Sequence, residues 1–471
     1  MICIANMATL QLSGAGWALE SSLMTLREVV TKKKRIRQFS FADFDVDVTT
    51  AALFIQALQV SASVVTSLSL NECTGHVELV VTAAMALNRL EKLSVSVGRL
   101  APAASTPVMH SIGVGLQISS SLKELAIQSG SNVFFTLSPE AADSLEEALS
   151  CNHTEIGSTA SKLERFTLKS CRFGEPCAVR SVARGLKNCR SLRHVNLQSC
   201  YTNNGHPLDD VSLSRMIQAL EHNTLLESLD ISGNKCLDRG MDALANLIIR
   251  TRIERLNVSN QIIEADYDEK MNVSLLVRAI ARTTTLESLE LRFNKLGNED
   301  MAYLVAGLCQ NRSIRSLGLA SNKIKNAGIS ILASRIADMK GLQRLVLTNN
   351  QFDSKASLEL ANALNKSHNW VMESVECGPG KVNDDNLQYF TDLNWGGRRL
   401  LKPNITGGCK SEDSFAPHVA PGLWPLLLER VNKRLVQKID SSHARKELKG
   451  VERGASVIYF FLREGPVVLE R

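Results

Sequence analysis

The chain has 471 residues, 44% of them hydrophobic and 22% charged, with a formal net charge of +6. This composition excludes a disordered chain, and eleven prolines with twenty-eight glycines exclude a collagen-like one. Aromatic residues make up only 5%, which leaves little material for stacking bases. The length is about three times a typical domain of roughly 150 residues, so it points to several domains or to one repeat array.

The first segment, MICIANMATLQLSGAGWALE, lacks a basic leader and reads poorly as a secretory signal. No apolar run approaches the roughly 20 residues that a spanning helix needs, so no membrane association is expected. Eleven scattered cysteines, an odd number, suggest reduced thiols in a cytoplasmic or nuclear protein. Leu19 to Val30 carries a helical pattern and is predicted to cap the start of the array, within residues 1–35. The basic cluster Lys32, Lys33, Lys34, Arg35 and Arg37 reads as a solvated end, a nuclear localisation signal or an anionic docking surface. Six Asn-x-Ser/Thr sequons are read as chance, and Asn257 falls inside a predicted strand.

From residue 36 onward the sequence repeats itself. LESLDISGNKCL from Leu226, LESLELRFNKLG from Leu286, IRSLGLASNKIK from Ile314 and LQRLVLTNNQFD from Leu342 share one phase, L-x-x-L-x-L-x-x-N-x-L. Weaker copies begin at Val65, Leu90, Leu122, Leu163, Leu192 and Ile253, and fainter ones at Ile36 and Met372. That makes twelve candidate units with a mean spacing near 30 residues. The alternating leucines predict a short strand with one buried face. The Asn amide is predicted to satisfy backbone groups of neighbouring turns, as a ladder down the stack. Cys73, Cys171 and Cys200 occupy that place in their units. They are read as small buried fillers of the ladder, with metal or disulfide chemistry as the alternative. Between strands the apolar spacing changes to about 3.6, which predicts amphipathic helices over 238–249, 301–308, 329–336 and 358–364.

Strand plus full helix in 28 to 29 residues resembles the ribonuclease-inhibitor class of leucine-rich repeat, over about Ile36 to Val382. The resemblance implies an α/β fold, a leucine-rich-repeat solenoid (horseshoe) with parallel strands on the concave face, helices on the convex face, about 12 repeats and terminal caps. Two intervals are long: Leu122 to Leu163 spans 41 residues and Leu192 to Leu226 spans 34. The first starts a helix at Ser138-Pro139-Glu140 and leaves a polar insert over 151–161. The second holds the turn-rich YTNNGHPLDD over 201–210. Both read as tolerated loop growth or as loops at a binding edge.

Residues 36–395 are assigned to the solenoid and 396–471 to a basic helical cap or tail. The tail has fourteen Lys/Arg against eight Asp/Glu, so it carries the chain's excess positive charge. Its two apolar segments, LWPLLLERVNKRLV and VIYFFLREGPVVL, also resemble the tail after the repeats of some algal leucine-rich-repeat proteins.

No phosphate loop, G-x-G-x-x-G, G-x-S-x-G, H-E-x-x-H or C-x-x-C occurs, and GPGK at 378–381 is followed by valine. No histidine has metal-ligand spacing to another His or to Cys. Neither catalysis, a cofactor nor a metal is therefore expected.

In this repeat, strand places 3, 5 and 7 project from the sheet. Arg165, Lys169 and His194 fall on adjacent strands as one basic group, with Gln198 beside them. Asp230, Arg255, Glu290 and Arg292 form a mixed group, and Arg344 lies further along. These residues read as a solvated face or as a polar docking surface for an acidic protein segment. The expected function is a non-enzymatic protein-interaction scaffold of unidentified partner. The repeat class also implies two alternatives: a GTPase activator of the Ran type acting on a small GTPase, or the recognition part of a nucleotide-binding leucine-rich-repeat sensor. The Ran-activator resemblance implies an acidic tail where this sequence has a basic one, and the sensor resemblance implies a phosphate loop that this sequence does not show. Nucleic acid is not expected, because the body is net neutral and poor in aromatics.

Overall fold

The computed structural model describes residues 9–97, 102–119, 121–130, 134–150, 163–261, 271–367, 369, 371–378, 387, 391 and 394. The expected insert at 151–161 and the tail at 396–471 lie outside them. The chain divides into two compact units, Met1–Leu276 and Val277–Arg471.

In the first unit, strands and helices alternate: β1 (Thr9–Ser13), α1 (Leu19–Thr31), β2 (Gln38–Ala42), β3 (Asp45–Val46), α2 (Val48–Val60), β4 (Ser67–Gly75), α3 (Val77–Met85), β5 (Lys92–Val97), α4 (Pro102–Ile118) and β6 (Glu124–Ser129). They continue with β7 (Thr136–Leu137), α5 (Pro139–Ser150), β8 (Arg165–Lys169), β9 (Arg172–Phe173), α6 (Pro176–Asn188), β10 (His194–Asn196), α7 (Asp210–Leu220), β11 (Ser228–Asp230), α8 (Asp238–Arg250) and β12 (Arg255–Asn257). The main sheet is parallel in the order β1-β2-β4-β5-β6-β8-β10-β11-β12. Segment 9–31 is itself a strand–helix unit, because β1 pairs in register with β2 from Thr9↔Gln38 to Ser13↔Ala42.

The second unit follows the same plan: α9 (Val277–Arg282), β13 (Ser288–Glu290), α10 (Asn298–Gln310), β14 (Ser316–Gly318), α11 (Asn326–Arg335), β15 (Arg344–Val346), α12 (Ser354–Lys366) and β16 (Ser374–Glu376). Its strands are parallel in the order β13-β14-β15-β16. The helices predicted from spacing at 238–249, 301–308, 329–336 and 358–364 lie within α8, α10 and α12 and across α11 into its following turn.

The core of each unit lies between its sheet and its helices. Strand leucines such as Leu229, Leu289 and Leu317 are at most 1% exposed, and so are the helix residues Leu244, Leu304 and Leu332 that face them. The first repeats substitute aromatic packing: Phe41 stacks on Phe54 at 3.9 Å and Phe44 meets Phe54 edge-on at 5.1 Å.

The turn after each strand has one recurring geometry. Asp43, Glu72, Ser170, Ser199, Gly233 and Asn260 in the first unit adopt positive φ, as do Phe293, Ser321 and Asn349 in the second. The next residue fills the ladder. Asn322 Nδ2 donates to Leu291 and Leu319 carbonyls at 3.0 and 2.9 Å, and its Oδ1 accepts from Asn294 and Leu296 N–H groups at 2.9 and 3.1 Å. Asn234 and Asn350 repeat the arrangement. Where cysteine replaces Asn, the thiol donates to the preceding turn: Cys73 to Phe41 at 3.5 Å, Cys171 to Ile127 at 3.6 Å and Cys200 to Leu168 at 3.4 Å. Burial pushes the Cys73 thiol up to about 11 and the Cys200 thiol up to about 12. These cysteines are free, buried ladder fillers.

A second buried Asn column stands before the strands. Asn311 donates to the Ile280 and Thr283 carbonyls at 2.7 and 3.1 Å, and Asn369 to Ile336 and Met339 at 2.6 and 3.2 Å. Asn311 heads one of the sequons, yet it is 2% exposed and fully engaged.

Candidate functional site: the solvent face of the sheets

Along the longer strands, alternate side chains face solvent while those between them are buried. The burial pattern of β8 (exposed, buried, intermediate, buried, exposed) places Arg165, Thr167 and Lys169 on that face and Phe166 and Leu168 beneath it. Parallel register carries the rows across the first unit. One row runs Lys92, Glu124, Arg165, His194, Ser228, Arg255. The next runs Ser94, Ala126, Thr167, Asn196, Asp230, Asn257.

Charges in these rows are partly matched across strands. Glu124 accepts from Lys92 at 2.6 Å and lies 3.7 Å from Arg165. Arg165 keeps more than half of its side-chain surface in solvent. Lys169 is exposed and has no charged or hydrogen-bonding side-chain partner among the described residues. His194 is directly beside Arg165 and lies 3.8 Å from Glu227, which also binds Arg193. Partial burial, then the neighbouring Arg165, hold the His194 imidazole below its ordinary range against the pull of Glu227. The expected basic group thus shares one face of β8 and β10.

Asp230 and Arg255 also lie in the first unit. Asp230 accepts from the Ser232 hydroxyl at 2.6 Å and from Asn257 Nδ2 at 3.0 Å, while Arg255 lies 3.5 Å from Glu254. Gln198 borders them, its N–H bound to Asn196 Oδ1 at 2.9 Å. Glu290, Arg292 and Arg344 lie in the second unit. Glu290 and Arg292 pair within β13 and its extension at 2.7 Å, and Arg344 reaches Glu376 at 2.8 Å. Those pairs are mutually neutralised and half-exposed, so each contributes little to stability.

The basic cluster at the first repeats has a definite setting. Lys32 and Lys34 bind Glu28 at 2.8 and 3.1 Å, whereas Lys33, Arg35 and Arg37 are exposed. Ile36 between them is 1% exposed, its N–H bonded to Ser61 Oγ at 3.0 Å. This segment is tied into the stack at Ile36.

Sequence reasoning missed an edge cluster. Phe134 and Tyr201 meet edge-on with centroids 4.8 Å apart, and the Arg172 guanidinium lies 4.4 Å from the Phe134 ring centre. The only sequence signal was the length of the two intervals that supply them. Among the described residues no group of His, Cys, Asp and Glu could hold a metal, and no helix is long and apolar enough to cross a membrane.

No curated protein matches the chain. Solved structures to which the chain is similar include an internalin from Listeria monocytogenes str. 4b F2365, at 16% identity over 75% of this chain and 93% of that one, TM-score 0.40. The TLR13–ssRNA13 complex is 16% identical over 73% of this chain and 41% of that one, TM-score 0.40. The tropomodulin C-terminal domain of Caenorhabditis elegans is 14% identical over 27% of this chain and 78% of that one, TM-score 0.25. The family model described as Leucine Rich repeat matches residues 222–245, 283–305 and 310–333. Those segments cover strand–helix units in both compact parts, and the chain carries leucine-rich repeats there.

Proposed function

We propose that this protein is a non-enzymatic docking scaffold that receives an acidic segment of a protein partner on the solvent face of its first-unit sheet. One observation carries the reading. Arg165, Lys169 and His194 share a face, and Glu124, the carboxylate in the row of Arg165 and His194, is bound more closely by Lys92 than by Arg165. The face therefore retains unmatched positive charge where a partner's carboxylates would meet it. Asp230, Arg255 and Gln198 continue the surface with polar groups held by local hydrogen bonds. In the second unit Glu290, Arg292 and Arg344 offer paired charges that a partner could re-pair only by displacing them. The cysteine usage supports a reducing compartment, cytoplasmic or nuclear.

The test is affinity capture with tagged wild type and with the double variant Arg165→Glu, Lys169→Glu, at low and high salt. The expected result is a stoichiometric protein held by wild type at low salt and lost by the variant, with an unchanged thermal midpoint. Equal capture by the two proteins overturns the reading.

A further inference from the structure

The two longest repeat intervals each bring one aromatic residue to the start of β9 in the first unit. Phe134 comes from the first interval, Tyr201 from the second, and Arg172 stands between them at the start of β9. Short backbone ladders hold all three. Phe135 N–H binds Ser129 Oγ at 2.7 Å, and Ser129 Oγ in turn donates to the Ser170 carbonyl at 2.6 Å. Arg172 N–H donates to the Phe135 carbonyl at 2.8 Å, Tyr201 N–H to Cys171 at 2.8 Å and Phe173 N–H to Tyr201 at 2.8 Å. The loop after Tyr201 closes on itself, with Thr202 N–H bound to the His206 carbonyl at 2.8 Å. Gly205 in that loop has φ 77°, and a Cβ there would stand 3.7 Å from Arg172 Nη2. The rings and the guanidinium are therefore preorganised.

Two properties mark the cluster as unfinished. Phe134 keeps 37% of its surface in solvent although it is a large aromatic. Arg172 Nε is buried and has no hydrogen-bond acceptor among the described residues. A buried charged donor without an acceptor is costly in a finished protein interior. An exposed phenylalanine beside a half-buried arginine and tyrosine has the composition of an interface hot spot. Lys169, three residues upstream of Arg172, extends the same positive edge from the sheet face.

We infer that the Phe134–Arg172–Tyr201 cluster is an anchor site for one aromatic side chain flanked by carboxylates, borne by an acidic segment of a protein partner. The aromatic ring packs on Phe134 and Tyr201, and a carboxylate answers the Arg172 guanidinium. Charge complementarity selects the occupant, because the Arg172 guanidinium stands over Phe134 and the exposed Lys169 lies three residues upstream. This rests on the sheet-face docking reading and adds the chemistry of the residue that anchors it.

Fluorescence anisotropy of the full chain with labelled poly-glutamate and with a random glutamate–tyrosine copolymer tests the proposal. The expected result is saturable binding of both, with the copolymer bound at least about tenfold more tightly. Phe134→Ala should erase the copolymer's advantage and leave poly-glutamate binding within about twofold, whereas Arg172→Gln should erase the advantage and also weaken poly-glutamate. Tyr201→Leu, which removes the ring but keeps an apolar side chain, serves as a second variant should Phe134→Ala unfold. Equal affinity of wild type for the two polymers overturns the anchor, as does an advantage that survives in Arg172→Gln. Tighter binding of poly-uridylate than of the copolymer overturns the protein assignment. Arg165→Glu with Lys169→Glu should weaken both polymers. If that variant alone matters, the anchor falls and the sheet-face reading stands. If it changes nothing, the sheet-face reading falls as well.

Discussion

The side-chain amide of Asn322 donates to the Leu291 carbonyl of the preceding repeat at 3.0 Å, while its oxygen accepts the Asn294 N–H at 2.9 Å. One buried side chain thus closes backbone groups of two successive turns. Asn322→Ala leaves several of them buried and unpaired, at a cost of about 1–3 kcal/mol per group before relaxation. The expected outcome is a loss of about 2–4 kcal/mol in denaturant unfolding. A loss under about 0.5 kcal/mol would mean that water fills the ladder position.

Asp210 provides a second inter-repeat bond that the repeat consensus does not announce. Its carboxylate accepts from Leu237, Arg239 and Gly240 N–H groups at 2.7, 3.0 and 2.8 Å, capping α8 from the helix before it. Asp210→Ala should destabilise the protein by about 1–2 kcal/mol, while Asp210→Asn, which keeps an acceptor, costs less. Equal melting of Asp210→Ala and wild type would contradict this capping role.

Thiol reactivity should follow burial. Cys73, Cys171 and Cys200 are buried with raised thiol pKa, through desolvation above all, whereas Cys177 is partly exposed. With native protein at pH 8, iodoacetamide should alkylate Cys177 first and leave the other three until unfolding. Peptide mass spectrometry reads the order, and early labelling of Cys200 would contradict the packing described.

His194 predicts a direction for stability against pH. Its folded pKa is lowered, first by desolvation and then by Arg165. The unfolded chain therefore binds its proton more readily. The resulting stability is fully present above the unfolded value of about 6.5 and declines as pH falls through it toward the lower folded pKa. Between pH 7.5 and pH 5, wild type should lose more thermal stability than His194→Gln. Parallel losses in the two proteins would remove His194 from the account.

Much of the fold was legible because its signals are local. A leucine phase of period 2 followed by one of about 3.6 specifies strand, turn and helix within a single repeat, and β13, α10, β14 and α11 follow it. The rows on the sheet face were legible for the same reason: strands in one phase align in one register, as Arg165 does with His194. What each charge on that face meets was not legible. Arg344 finds Glu376, Asp230 finds Asn257 and Lys169 has no charged or hydrogen-bonding side-chain partner among the described residues, outcomes set by rotamers and by the neighbouring strand.

The sequence by itself determined the repeat, the alternation of strand and helix and the ladder place held by Asn or Cys, since each depends on residues within one turn of the coil. Only the tertiary structure decided that Phe134 and Tyr201 close around Arg172, and that Asp210 caps a helix 28 residues on. Those contacts join separate repeats through irregular loops. Their geometry is set by stacking and backbone closure, which no local period encodes.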